Sequence, residues 1–126
     1  MFAKDIMTKD VITIKPETTI HEAMKIIVEK EISGLIVLND KDEVVGVLSE
    51  KDLLVAFDWL GVVKPSIVDY YNKNVVSVTE DTPVQDINRL LVIKNIKRVP
   101  VIKDKKVVGV VSRLDILRHI LKTTPA

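Results

Sequence analysis

Two seven-residue stretches carry most of the polar chemistry this chain can offer: Gly46-x-x-Ser49-x-x-Asp52 and Gly109-x-x-Ser112-x-x-Asp115. A carboxylate accepts two hydrogen bonds at once, which suits the neighbouring 2′- and 3′-hydroxyls of a ribose. The serine hydroxyl, with the free N–H groups of a helix start, suits a phosphate or another anion. The same residues also make a helix cap, with Ser at the N-cap and Asp at the third helical position, where it favours the dipole. Capping is the commoner use of an isolated Ser-x-x-Asp. Both roles are open here, because the serine can cap while the carboxylate faces a ligand. The glycine three residues ahead of each serine would keep the strand end uncrowded. An apolar strand end can hold a flat base and read its edge with backbone N–H and C=O groups.

No catalytic constellation competes with these stretches. The chain has no cysteine, which excludes disulfides, thiolate zinc sites and cysteine nucleophiles. His21 and His119 are its only histidines, and neither has a second ligand beside it in sequence, so helix-surface positions and no metal are expected. There is no Gly-x-Ser-x-Gly elbow, no phosphate-binding glycine loop and no histidine next to a serine–acid pair, so no enzyme is expected. Asp52 and Asp115 read as equivalents in two copies rather than as a carboxylate dyad.

The elements that must position these residues occur twice. Slid by 64 residues, Val11-Ile-Thr-Ile14 meets Val75-Val-Ser-Val78, Thr18 meets Thr82 and Ile32 meets Ile96. The second copy is one residue shorter at a turn, and the offset then becomes 63. There Val44-Val-Gly-Val-Leu-Ser-Glu-Lys-Asp-Leu-Leu54 faces Val107-Val-Gly-Val-Val-Ser-Arg-Leu-Asp-Ile-Leu117. Seven of those eleven positions are identical, which establishes an internal repeat and points to a pseudo-twofold pair. Each copy predicts a strand (11–14; 75–78), a helix, an apolar strand (35–38; 99–102), a polar turn, another strand (44–48; 107–111) and a helix starting at Ser49 or Ser112. Thr82-Pro-Val-Gln85 predicts a capping box with Pro at the first helical position, and Thr19 with Glu22 predicts the matching start in the first copy. Ile20, Ala23, Ile26 and Ile27 share one helix face, matched by Val84, Ile87, Leu90 and Leu91. Between the copies, Val68-Asp69-Tyr70-Tyr71 echoes Asp5-Ile-Met7. Trp59 and the two tyrosines are expected to pack this linker or a dimer surface.

This pattern resembles the CBS (cystathionine-β-synthase) domain family, whose members occur as tandem pairs called Bateman modules. The match lies in Asp5-Ile-Met-Thr8, the capped first helix, Ile32-Ser-Gly-Leu35 with Val99-Pro-Val101, and the two Gly-x-x-Ser-x-x-Asp stretches. It covers almost the whole chain. The resemblance implies an α/β (α+β) fold of two β-α-β-β-α repeats related by a pseudo-twofold axis, with small three-stranded sheets packed by helices and two symmetric clefts between them. Along the chain, repeat 1 takes 1–60, and the linker and repeat 2 take 61–126. Carried over by position, Thr18, Ala23, Ile32, Gly34, Leu35, Ser49 and Asp52 line the first cleft. Thr82, Ile87, Ile96, Arg98, Val99, Pro100, Ser112 and Asp115 line the second. In related modules the residue aligned with Arg98 can cross the pseudo-twofold axis to meet phosphate in the other cleft. Its counterpart here is Gly34, so that charge is available once. Lys97 and Arg113 are further phosphate candidates, while Glu50, the counterpart of Arg113, would repel phosphate. Ile87 in place of Ala23 narrows the second pocket. The Asp52 cleft, with Arg98 as phosphate clamp, is therefore the preferred site.

The implied function is a regulatory sensor that binds AMP, ADP, ATP or S-adenosylmethionine, needs no cofactor, and changes its contact with an unidentified protein partner. The alternative is a ligand-independent dimerisation scaffold, with Ser-x-x-Asp acting only as caps. Leu53, Leu54, Phe57 and Leu60, and again Ile116, Leu117, Ile120 and Leu121, form stripes that fit either the core or a homodimer interface. A nucleic-acid module using Lys97, Arg98, Arg113 and Arg118 is disfavoured by a formal charge of +1. No apolar run approaches the roughly 20 residues of a spanning helix, and no signal-peptide core is present, so a cytoplasmic protein without a membrane segment is expected. Hydrophobic residues at 47% supply a core and charged ones at 29% a solvated surface.

Overall fold

The first repeat builds a three-stranded sheet. β1 (Thr13–Ile14) runs parallel to β2 (Gly34–Leu38), and β3 (Val44–Ser49) pairs antiparallel with β2 on its other side. A crossover helix, α2 (Ile20–Lys30), joins the two parallel strands, and α3 (Glu50–Leu60) follows β3. The parallel central strand is buried along its whole length, which is why Gly34-Leu-Ile-Val-Leu38 is uninterruptedly apolar. Ile20, Ala23 and Ile27 from α2 meet Leu35, Val37 and Leu48 from the sheet and Leu53 and Ala56 from α3 in one core. At about 2 kcal/mol for each buried aliphatic side chain, this cluster is the main force holding the unit together.

The computed structural model describes all 126 residues, and they form two compact units: Ile12–Val75, and Met1–Val11 together with Val76–Ala126. Each folded unit takes up the segment that precedes the other repeat. The short helix α1 (Ala3–Ile6) belongs with the second repeat: Ala3 donates to the Thr82 carbonyl at 2.9 Å, and Lys4 to that of Glu80 at 3.0 Å. Ala3 is fully buried in that unit's core, as Ile67, its counterpart at an offset of 64, is in the other. The Lys4 ammonium lies 3.0 Å from the Asp81 carboxylate, whose hydrogen bond and charge hold the lysine pKa above its ordinary value. Both partners are exposed, so water screens the pair.

In this second unit α4 (Val84–Ile93), β4 (Arg98–Lys103), β5 (Lys106–Ser112) and α5 (Arg113–Thr123) repeat the pattern. Here β4 and β5 form a two-stranded sheet, and the expected strand 75–78 is reduced to a single parallel bridge between Val78 and Val101. Pro100 supplies the reason. Val78 donates to the Pro100 carbonyl at 3.0 Å, and Ile102 donates to that of Val78 at 2.9 Å. The next rung of the ladder, from residue 100 to the Val76 carbonyl, needs an N–H that proline lacks. Ile36 stands at the matching place in the first unit and β1 forms.

The capping expectation holds in one copy and fails in the other. Thr19 caps α2, its hydroxyl accepting from Glu22 N–H at 3.0 Å and donating to the Glu22 carboxylate at 3.1 Å. A threonine cap of this kind is worth about 1 kcal/mol. The N-cap of α4 is Pro83, not Thr82, and no side chain caps it. Thr82 is already engaged: its hydroxyl accepts the Thr79 N–H at 3.0 Å, as Thr18 accepts that of Lys15 at 3.3 Å. The one-residue difference between the copies lies in the hairpins. Asp104 and Lys105, both with positive φ, make a tight two-residue turn closed by the Lys103–Lys106 pair. The longer first turn is braced by Asn39, which accepts from the Lys41 and Glu43 N–H groups at 2.9 Å each. No helix is long and apolar enough to cross a membrane.

Candidate functional site

Both Ser-x-x-Asp stretches are complete capping boxes at the junction of a strand and a helix. Ser49 ends β3 and caps α3: its hydroxyl accepts the Asp52 N–H at 3.2 Å, and the Asp52 Oδ2 accepts the Ser49 N–H at 2.8 Å. Ser112 and Asp115 reproduce these bonds at 3.2 and 2.8 Å, and the Ser112 hydroxyl adds a 3.0 Å bond to Asp115 Oδ2. The aspartates are therefore caps in fact, and one oxygen of each is committed to that role. What separates the two sites is the other oxygen. Asp52 is half-exposed, and its Oδ1 has no protein partner. Asp115 is only 8% exposed, and its Oδ1 faces the Thr8 hydroxyl at 3.3 Å and Arg118 Nη1 at 3.6 Å.

The strand ladders place the remaining candidates. Gly34 pairs with Ser49 and Arg98 with Ser112, so one ladder ends on a bare glycine where the other carries an arginine. A side chain at Gly34 would meet the Leu48 carbonyl oxygen at 3.0 Å, which keeps that position small. Ser33 and Lys97 approach through their backbones, accepting from the N–H groups of Glu50 at 3.1 Å and Arg113 at 3.0 Å. The Arg113 side chain turns to the end of α4, bonding the Ile96 carbonyl at 3.1 Å and Asn95 Oδ1 at 3.3 Å. That contact accounts for a cation at a helix N-terminus, otherwise the unfavourable end for it. Ala23, Leu35, Ile87, Val99 and Pro100 are buried, while Ile32 and Ile96 are half-buried after the helices. Thr18 and Thr82 sit in the turns before α2 and α4 with their hydroxyls accepting backbone N–H groups, and neither is bonded to an aspartate.

The glycines of the two stretches have a different purpose from the one their position suggested. Gly46 admits the ring of Tyr71, and Gly109 admits the Met7 side chain. Each aromatic or thioether group arrives on a segment that bridges to β3 or β5. Asn72 exchanges two 2.9 Å backbone bonds with Val47, and Thr8 does the same with Val110. Met7, Thr8, Tyr71 and Asn72 were not among the residues the sequence singled out for the site. The signal was present in the echo of Asp5-Ile-Met7 by Asp69-Tyr70-Tyr71, which puts Thr8 and Asn72 in register.

Two repeats of one strand–helix plan, each ending in a capped Ser-x-x-Asp, define a tandem module of the CBS type. The CBS domain family matches residues 3–58 and 67–122, and the chain belongs to it. A protein of Acidianus ambivalens known as the uncharacterised 17.7 kDa protein in the bps2 3′ region is 34% identical over 117 residues, 92% of this chain and 71% of its own length. The inosine-5′-monophosphate dehydrogenase of Methanocaldococcus jannaschii is 31% identical over 118 residues, 93% of this chain but only 23% of the longer enzyme. Among solved structures, CBSX2 in complex with AMP superposes with a TM-score of 0.89 at 29% identity, covering 98% of both chains. The CBS domain pair of protein MJ0100, in complex with 5′-methylthioadenosine and S-adenosyl-L-methionine, superposes at 0.86 with 30% identity, again over 98% of both.

Proposed function

We propose that this chain is a non-enzymatic regulatory sensor that binds an adenosyl ligand, with Asp52 accepting the ribose hydroxyls. The observation that carries the reading is the free Oδ1 of Asp52, held in place by a cap that uses only Oδ2. The ligands of the two structural relatives support it, since AMP, 5′-methylthioadenosine and S-adenosylmethionine have adenosine in common. A carboxylate that reads the cis-diol serves all three; Arg98 is the phosphate partner we assign, with Lys97 as its neighbour. Ligand binding alters contact with a partner protein to the extent that the two conformations differ in ligand affinity.

The test separates the diol from the rest of the ligand. Titrated calorimetrically, AMP binds about tenfold or more tightly than 2′,3′-dideoxy-AMP, because hydrogen bonds to a charged acceptor are worth about 1.5–3 kcal/mol each. Equal affinity for the two would remove Asp52 from ribose recognition.

A second reading, a ligand-independent dimerisation scaffold, draws on the outer faces of α3 and α5. Leu53 and Ile116 are buried, but Leu54, Phe57, Leu117 and Ile120 are exposed, and Trp59 and Leu121 are 79% and 81% exposed. Helix stripes of this kind suit a homodimer interface, which we assign to them under either reading. The readings part at the ligand: a scaffold is the same dimer and binds neither AMP nor S-adenosylmethionine.

A further inference from the structure

We propose that Thr8 decides which of the two Ser-x-x-Asp sites takes a ligand, by holding the Asp115 carboxylate closed to a ribose diol while Asp52 stands open. The inference rests on the reading of these aspartates as ribose acceptors.

The Thr8 backbone is fixed beside the second site by its paired bonds to Val110, and Met7 lies in the space left by Gly109. From there its hydroxyl donates to Asp115, 3.3 Å from Oδ1 and 3.5 Å from Oδ2. That is the interaction a ribose hydroxyl would make, so Thr8 is a stand-in for the ligand. The Ser112 N–H and hydroxyl occupy Oδ2, and Arg118 Nη1 pairs with Oδ1 at 3.6 Å, so the Thr8 hydroxyl sits on the oxygen that a diol would otherwise reach.

Asn72 is the counterpart of Thr8 and makes the same backbone bridge to Val47. Its side chain folds back instead on its own loop, Oδ1 accepting the Asn74 N–H at 2.9 Å. Asp52 is left without a protein donor on Oδ1. The asymmetry therefore comes from Thr8 against Asn72 in the preceding segments, with Arg118 against Val55 in the following helices, and not from Ser-x-x-Asp itself, which is the same in both copies. The Thr8 bonds are longer than the roughly 2.5–2.7 Å of a strong hydroxyl–carboxylate bond. Rotation of the Thr8 side chain about χ1, with its backbone bridge intact, is enough to release Asp115.

The test is the number of AMP molecules bound per chain, read by calorimetry on the full chain, with S-adenosylmethionine as the second probe. Wild type binds one AMP tightly. Thr8→Val, which keeps shape and backbone bonds but removes the donor, gains a second site or tightens a weak one by about tenfold, the weight of one hydrogen bond to a charged group. Thr8→Ser restores the donor and the wild-type isotherm, which loss of packing alone would not. Asn72→Thr weakens the first site by a similar factor. Thr8→Val titrating like wild type, or wild type filling two equal sites, overturns the role of Thr8 and leaves the ribose reading standing. Absence of AMP and S-adenosylmethionine binding in all four proteins overturns both.

Discussion

Gly46→Ala destabilises the first unit by about 3 kcal/mol, at the upper end of overpacking costs, whereas Gly109→Ala costs about 1 kcal/mol. The two glycines are equivalent in sequence, so the difference comes entirely from what each one admits. A methyl group at Gly46 would strike the edge of the Tyr71 ring and, at 2.7 Å, the carbonyl oxygen of Asn72. That carbonyl is tied to the Val47 N–H and cannot retreat without breaking the bridge. At Gly109 the three atoms nearest to an added methyl group all belong to the Met7 side chain, with Sδ at 2.5 Å. An unbranched thioether can turn away at small cost. Thermal unfolding of the two variants checks this, with a fall in Tm of about 10 °C for Gly46→Ala and a few degrees for Gly109→Ala. Equal falls would mean that the Tyr71 ring yields as easily as a methionine.

Asp52→Ala and Asp115→Ala separate binding from stability. Asp52→Ala removes the open carboxylate and lowers adenosyl-ligand affinity by about thirtyfold or more, the weight of at least one hydrogen bond to a charged acceptor. It costs the free protein only about 1 kcal/mol, because a half-exposed cap contact is all that is lost. Asp115→Ala strips a buried group of its bonds to Ser112 and Thr8, leaving those donors to find water, and costs about 2 kcal/mol. Its effect on the tight ligand site is small. Paired denaturation and titration of each variant reads both quantities. A matching loss of affinity in Asp115→Ala would contradict the assignment of the open site to Asp52.

Much of this architecture is legible in the chain because it is written twice. The strand–helix–hairpin–helix order, the one-residue difference at the hairpin and the core faces of α2 and α4 all follow from local periodicity and turn residues. Pro100 is the exception, since the expectation of a strand at 75–78 overlooked that a proline in β4 removes a rung on one side. What local reading missed are competitions for a single atom. Thr82 looks like an N-cap until its hydroxyl is seen to be taken by the Thr79 N–H, which leaves Pro83 at the cap. The contact between Thr8 and Asp115 spans 107 residues, and no pattern of spacing within a repeat can reveal it. Repeat alignment places Thr8 against Asn72, but their divergence acquires meaning only once both segments are seen lying against the strand that leads to Ser-x-x-Asp.

The central claim, that this CBS pair is built to hold an adenosyl ligand, is met most directly by a thermal-shift panel of AMP, ADP, ATP and S-adenosylmethionine on the wild-type chain. At a hundred times its dissociation constant a ligand adds about 2.7 kcal/mol, which for a chain of this size raises Tm by several degrees. Such a shift is expected with at least one of the four. A well-folded protein whose Tm moves with none of them would contradict that claim and leave the dimerisation scaffold in its place.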